Sequence, residues 1–451
     1  MNYINSDALS YDIRKNAFRI NGQADDYRPL DDMFKDAKVV LLGESSHGTT
    51  EFYHERAVIT KRLIMEHGFN AVAIEGDWPD AYKVNQYVKG ELNTMTATQA
   101  LDGFKRFPTW MWCNHEVLDF VTWLTDYNKL RKADQKVGFY GLDLYSLHAS
   151  MAAVVQYLKK NDPEAAKRAQ DRYACFDHFG INPQNYAYAT AFGRAESCEQ
   201  DVIQQLRELR DHTASDLQRN GRLAADAFFY AEQNAQLVKN AEKYYRLMFH
   251  RDVSSWNLRD KHMMETLEAL DQHLTSINGK AKIVVWAHNS HIGDASATEM
   301  GTRGEFNIGQ LARKRYQKLA VNIGFTTYTG TVTAASDWDM PGQKRQITPA
   351  LAGSYESLFH DANIPAFFLK LNKISESNEE LIDALRNQRL ERAIGVVYKP
   401  ETERLSHYFV ASLPDQFDAV IHIDKTQALM PLDLTEHWQN DETPETYPFG
   451  T

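Results

Sequence analysis

Three cysteines in 451 residues, Cys113, Cys175 and Cys198, are too few and too widely spaced for a disulfide framework or a Cys-x-x-Cys metal site. Their scarcity implies a reducing compartment. No run approaches the ~18 apolar residues that a membrane-spanning helix requires. Positive charge is also in deficit: the formal net charge is −11. Nucleic acid and anionic membrane, which call for clustered Lys and Arg, are therefore poor candidates for the main partner. The basic triplet Arg313-Lys314-Arg315 reads as the solvated face of a helix. Residues Met1 to Asp7 show neither the basic nor the apolar segment of a signal peptide. The expectation is a cytoplasmic protein acting on a small molecule. No low-complexity tract, internal repeat or Pro/Ser-rich linker divides the chain. Reaction-specific fingerprints are missing as well. The chain has no Gly-x-Ser-x-Gly nucleophile elbow, no phosphate-binding loop of the Gly-x-x-x-x-Gly-Lys-Ser/Thr kind and no dinucleotide fingerprint after its first strand.

What is present is an ordinary globular composition, 43% hydrophobic and 25% charged, in a chain long enough for a large core. Short apolar, β-branched runs recur at 39–43, 71–75, 137–142, 282–287, 319–325, 366–371, 394–398 and 419–423, separated by longer amphipathic segments. That rhythm predicts an α/β fold with a mostly parallel central sheet flanked by helices. Thr49 or Thr50 is placed to cap a helix over Glu51–His67 that stops at Gly68, and Pro79-Asp80 suits the first turn of another. The rhythm breaks between 146 and 278, where only helical pattern is found, including the Gly- and Pro-poor stretch Asp201 to Phe249. The chain accordingly divides into a first part of the α/β core (1–145, opening with a polar helical lead-in), a large helical insertion (146–278) and a second part of the core (279–451). The insertion either caps a cleft or is a purely structural set of helices. The polar tail from Leu432 is expected to wrap the surface or fray.

In open α/β sheets, ligands bind at the carboxyl ends of the strands. The first strand delivers Glu44 and His47 there, the second Glu75 and Asp77, the third Asp143 and Tyr145, the fourth His288, Asn289, Ser290 and His291. Each has a bland reading: a hydrogen-bonded structural His, or an acid capping the next helix. Their shared placement favours a site. Arg56, nine residues beyond His47, is either a surface Arg or a partner for Glu44 or Glu75. Trp110, Trp112 and Trp256 could form an apolar wall, or simply be buried.

This set suits His and carboxylate chemistry on water. His47, oriented by Glu44 or Glu75, would act as general base, since imidazole titrates near neutral pH. His288 or His291 would polarise a carbonyl or protonate a leaving oxygen, with no covalent intermediate and no cofactor. The same Glu44, His47, His288 and His291 could instead hold a divalent Zn, Mn or Co ion with an open position, although His-Glu-x-x-His spacing is absent. That reading allows hydrolysis of another bond, such as an amide or phosphoester. A small-molecule-binding protein without catalysis is the third alternative.

In order along the chain, Gly43-Glu44-Ser45-Ser46-His47-Gly48-Thr49-Thr50-Glu51-Phe52-Tyr53, Arg56, Gly68-Phe69, Glu75, Asp77-Trp78-Pro79-Asp80-Ala81 and Trp286-Ala287-His288-Asn289-Ser290-His291 resemble the two signatures of the erythromycin esterase family. Gly309 and Ile323-Gly324-Phe325-Thr326 extend the likeness over roughly 35–425. The run from Gly395 to Arg404 resembles a broad branch found well beyond antibiotic resistance, whose members need not cleave macrolides. The resemblance implies an α/β core with a helical insertion and metal-independent or weakly metal-linked ester hydrolysis. It places the water-activating base at His47, with Glu44, Arg56, Glu75, His288 and His291 lining the cleft. A small-molecule ester, possibly a macrolactone, is the implied substrate.

Overall fold

The computed structural model describes residues 6–434 except 24, 93, 181, 250, 251 and 373–375, with the backbone alone at 6, 7, 212–224, 252, 254, 376 and 377. The tail expected to wrap or fray therefore lies outside the described residues beyond Leu434. Among the described residues, eleven strands follow one another as β1 (Phe18–Arg19), β2 (Val39–Leu42), β3 (Ala71–Asp77), β4 (Gly138–Asp143), β5 (Ile283–Trp286), β6 (Ala320–Ala334), β7 (Gln343–Ile347), β8 (Ala366–Lys370), β9 (Arg389–Arg392), β10 (Tyr408–Ala411) and β11 (Ala419–Thr426). The main sheet has the spatial order β1-β8-β11-β6-β2-β5-β3-β4, with β7 paired to β6, while β9 and β10 form a separate ribbon.

From β11 to β4 every neighbouring pair is parallel. Within this sheet, antiparallel pairing is confined to the pairs made by β8, β1 and β7. The central strands are apolar on both faces because both faces are covered. Val39 and Leu41 of β2, with Ile283 and Val285 of β5, join one core. Val40, Leu42, Val284 and Trp286 join the other. The second core is closed by Thr50–His67, Trp78–Val88 and His115–Lys129 through Phe52, Leu63, Val84 and Phe120. Between β4 and β5 the described residues form helices and no strand. Met151, Leu237 and Leu267, from Leu147–Asn161, Glu199–Leu247 and Asp252–Asn278, cover the first core. No described helix is long and apolar enough to cross a membrane.

Thr49 is the N-cap residue of Thr50–His67, but its hydroxyl bonds Ser46 and leaves the helix end without a side-chain cap. The helix stops at Gly68, whose φ of 69° suits glycine. Pro79 falls in the first turn of Trp78–Val88 as expected.

Seven of the eight expected strands are present, and Ile394–Tyr398 is a correction. Its backbone is satisfied locally rather than by a ladder: Ile394 N–H donates to Ser45 O at 2.7 Å, and Ile394 O accepts from His47 N–H at 3.3 Å. The regular pairing falls instead to the more polar β9, against β10. Cys175 and Cys198 are a second correction. They form a disulfide with Cα atoms 6.0 Å apart, which brings together residues 23 apart in sequence and removes the cysteine-based ground for a reducing compartment.

Candidate active site

The four strands that end in ionisable residues are consecutive neighbours in the sheet, β2-β5-β3-β4. Their carboxyl ends open into a cavity of about 320 Å³ lined by His47, Glu75, Asp77, Asp143, His288 and His291, among others. Two glycines allow the loops to converge. A Cβ on Gly43 would lie 2.1 Å from Asn289 Oδ1, and one on Gly48 would lie 1.8 Å from Thr333 O. Asn289 N–H in turn donates to Glu44 O at 2.8 Å, so the loops after β2 and β5 form one unit.

Glu44 is fully buried and splits its two oxygens. Oε1 lies 2.8 Å from His47 Nδ1, and Oε2 accepts from Arg56 Nη2 at 2.8 Å. Arg56 thus pairs with Glu44 and not with Glu75. It is enclosed by ring faces, with its guanidinium 4.2 Å from the Tyr53 ring centre and 5.1 Å from that of Trp286. A carboxylate at Nδ1 fixes that nitrogen as the N–H donor. Nε2 is left as the basic nitrogen of the ring.

His288 lies beside His47, with ring centres 4.7 Å apart. It caps the short helix Asn289–Ile292: Nδ1 accepts from Ser290 N–H at 3.2 Å and contacts the Ser290 hydroxyl at 2.9 Å. Nδ1 as acceptor places the proton on Nε2. Nε2 is buried without a hydrogen bond of good geometry, and the Ser45 carbonyl is only a weak counterweight to it. Burial and the neighbouring His47 hold the His288 pKa well below the ordinary imidazole value, so the ring is neutral.

Glu75 accepts from His288 backbone N–H at 2.8 Å through Oε2 and from Arg259 Nη2 at 2.7 Å through Oε1. Burial alone favours its protonated form. His291, Arg259 and His47 outweigh burial and keep the carboxyl far below the usual range. Arg259 also pairs with Asp143, Nε to Oδ1 at 3.1 Å and Nη2 to Oδ2 at 2.7 Å. His291 Nδ1 sits 2.9 Å from Asp260 Oδ2, while Nε2 faces Arg259 Nη1 at 3.0 Å and Glu75 Oε1 at 3.4 Å. Burial depresses the His291 pKa, but Asp260 and Glu75 outweigh it and hold it up. Asp260 is fixed in turn by Ile308 N–H at 2.9 Å.

The six residues expected at the site are brought together, in two linked groups: Arg56-Glu44-His47-His288 and Glu75-Arg259-Asp143-His291. Of the three tryptophans, Trp112 and Trp256 line the cavity, and Trp256 stacks on His291 at 4.4 Å. Trp110 is buried, its ring 5.6 Å from that of Phe107. Among the described residues the Asp143 carboxylate caps no helix, accepting from the next N–H, Leu144, besides Arg259. Arg259 and Asp260 escape sequence reading. They lie within Asp252–Asn278, far along the chain from every strand end. The one available signal is an Arg-Asp pair following an apolar Trp256, and many solvated helices carry that.

The four donors considered for a metal do not form a free set. Both Glu44 oxygens and both His291 nitrogens are engaged within the protein. Among the described residues, a close grouping of potential ligands occurs elsewhere, at Asp31, Glu66 and His67. There Asp31 is already paired with Arg62 and His67.

The sequence profile described as erythromycin esterase matches residues 64–426. Erythromycin esterase type II of Escherichia coli is 21% identical over 427 residues, covering 89% of this chain and 93% of that one. YbfO of Bacillus subtilis strain 168, provisionally named a hydrolase, is 23% identical over 423 residues, 90% of this chain and 87% of the relative. A crystal structure of a Bacillus cereus protein aligns with TM-score 0.78 at 21% identity, covering 95% of this chain and 99% of that one. The crystal structure of an erythromycin esterase mutant in its open conformation aligns with TM-score 0.66 at 18% identity, covering 91% and 96%. With the profile spanning most of the fold and the strand-end cluster in place, the chain belongs to the erythromycin esterase family, a family of hydrolases.

Proposed function

We propose that the protein hydrolyses a carboxylic ester, a macrolactone among the substrates to be tested, by direct attack of a water that His47 deprotonates. The observation that carries this reading is the pairing of two imidazoles of opposite role in one cavity. His47 offers a basic Nε2 because Glu44 holds its Nδ1, and His288 offers an Nε2–H because Ser290 N–H occupies its Nδ1. The base takes the water proton, and the donor stabilises the oxygen that becomes negative in the tetrahedral intermediate. As charge develops on His47, the Glu44 carboxylate stabilises it, and Arg56 holds that carboxylate in place. The leaving alkoxide recovers the proton from His47, so acid, alcohol and enzyme balance. Arg259 holds Glu75 and Asp143 in fixed positions against His288 and His291 and serves as a positioning residue.

The same arrangement speaks against a metal at Glu44, His47, His288 and His291, because an ion there would have to displace Arg56, Arg259 and Asp260 from their partners. The cavity of about 320 Å³ is at the small end for ligand sites, which favours a compact ester or the reacting edge of a larger one. The test is mass spectrometry of erythromycin and of simple aryl esters incubated with the protein and a chelator. A gain of one water by the macrolactone, or cleavage of an aryl ester into its acid and phenol, supports the reading. The absence of hydrolysis on every ester overturns it.

A further inference from the structure

The cavity wall carries more acid than its cations match. Glu75 and Asp143 share Arg259, and Asp77 is paired with Arg106 at 2.9 Å. Asp80 also lines the cavity, yet has no hydrogen bond or ion pair among the described residues. Its bland role would be as an acid in the first turn of Trp78–Val88, where the helix end favours negative charge. A further observation points to a missing cation. Asp77, nine-tenths buried and in the same wall, leaves Oδ1 without a hydrogen bond of good geometry, the Tyr145 backbone N–H giving it only partial relief. Asp80 itself lies against Gly103, where an added Cβ would come within 3.0 Å of Oδ1. Around these carboxylates the wall is aromatic: Phe104, Phe107, Trp112 and Trp338.

We propose that Asp80, backed by Asp77 and framed by these rings, is a cation subsite, and that the preferred esters carry an alkylammonium group. Carboxylate plus aromatic faces is the chemistry that recognises a substituted ammonium, whose charge is diffuse and poorly hydrated. The structure also assigns the subsite a pH response. Burial and the neighbouring Asp77 push Asp80 up to about 7, with Arg106 and Lys83 as the opposing cations. An ammonium group would restore the full carboxylate.

This inference rests on the esterase reading of the same cavity, so the test uses two isosteric esters that differ only in charge, benzoylcholine and 3,3-dimethylbutyl benzoate. The wild type is expected to show a KM about tenfold lower for the cationic ester, the order expected for a cation held by one carboxylate and aromatic faces. Asp80→Asn should bring the ratio of the two KM values near one, and Asp80→Glu should keep it. Equal KM values in the wild type, or a preference that survives Asp80→Asn, overturn the subsite. If neither ester is hydrolysed, the esterase reading is decided by the macrolactone and aryl-ester assay, and calorimetry with the same two compounds decides the subsite. Tenfold tighter binding of the cation, lost in Asp80→Asn, supports it; equal binding, or no binding of either at millimolar concentration, overturns it.

Discussion

Removing either member of the Arg56–Glu44 pair should be costly, and removing both should cost no more than removing one. Arg56 and Glu44 have side chains 0% and 1% exposed and meet at 2.8 Å. Arg56 Nε and Nη1 make no hydrogen bond of good geometry, so Glu44 is its one carboxylate partner among the described residues. Breaking a buried pair by deleting one partner costs about 3–5 kcal/mol, because the other charge stays buried and uncompensated. Glu44→Gln and Arg56→Met are each expected to cost about 3 kcal/mol in urea unfolding followed by circular dichroism. The double variant should also cost about 3 kcal/mol, a coupling energy of about 3 kcal/mol between neighbours in one network. Activity behaves differently, because His47 needs the carboxylate in the transition state and not merely a well-packed neighbour. Turnover should fall about 10²–10⁴-fold in Glu44→Gln and stay low in the double variant. Additive stability losses, or activity returning to the wild-type level in the double variant, would refute the reasoning.

Further outcomes follow from the same geometry. His288→Ala removes the Nε2–H donor and should lower kcat about 10²–10³-fold with a small change in KM, as steady-state kinetics would show. Glu75 has a folded pKa depressed below its ordinary value of 4.5, so its ionisation contributes stability that is present above that value and is lost as pH falls. The stability gap between wild type and Glu75→Gln, read by urea titrations from pH 7 down to 4, should therefore narrow below about pH 4.5; a gap that widens there would contradict the assignment. For the cationic ester, the KM advantage should grow as pH rises through about 7, where Asp80 ionises against Asp77, Arg106 and Lys83, and the neutral ester should lack this trend.

The strand-end residues were legible in the sequence because the periodicity itself fixes them. Val39–Leu42 and Ile283–Trp286 are buried on both faces, so the first polar residues after them, Glu44 and His288, must sit at the sheet's carboxyl edge. Arg56 was legible as a possible partner because nine residues of loop and helix return it to the same edge. Arg259 and Asp260 were not. Their role depends on where Asp252–Asn278 lies against β4, a tertiary fact that helical periodicity does not carry. Ile394–Tyr398 misled for a related reason: an apolar run declares burial, and here the burial comes from bracing the His47 loop through Ser45 and His47 rather than from a sheet position. The Cys175–Cys198 link was hidden likewise, since only the packing of the helices around Phe176 and Tyr186 brings the two together.

The central claim is that His47 deprotonates the attacking water. The most direct measurement is kcat/KM for ester hydrolysis by wild type and His47→Ala, with and without added imidazole. The expected loss is about 10²–10⁴-fold, partly restored by imidazole, since the vacated space opens on the cavity. Turnover within a few-fold of wild type in His47→Ala would contradict it.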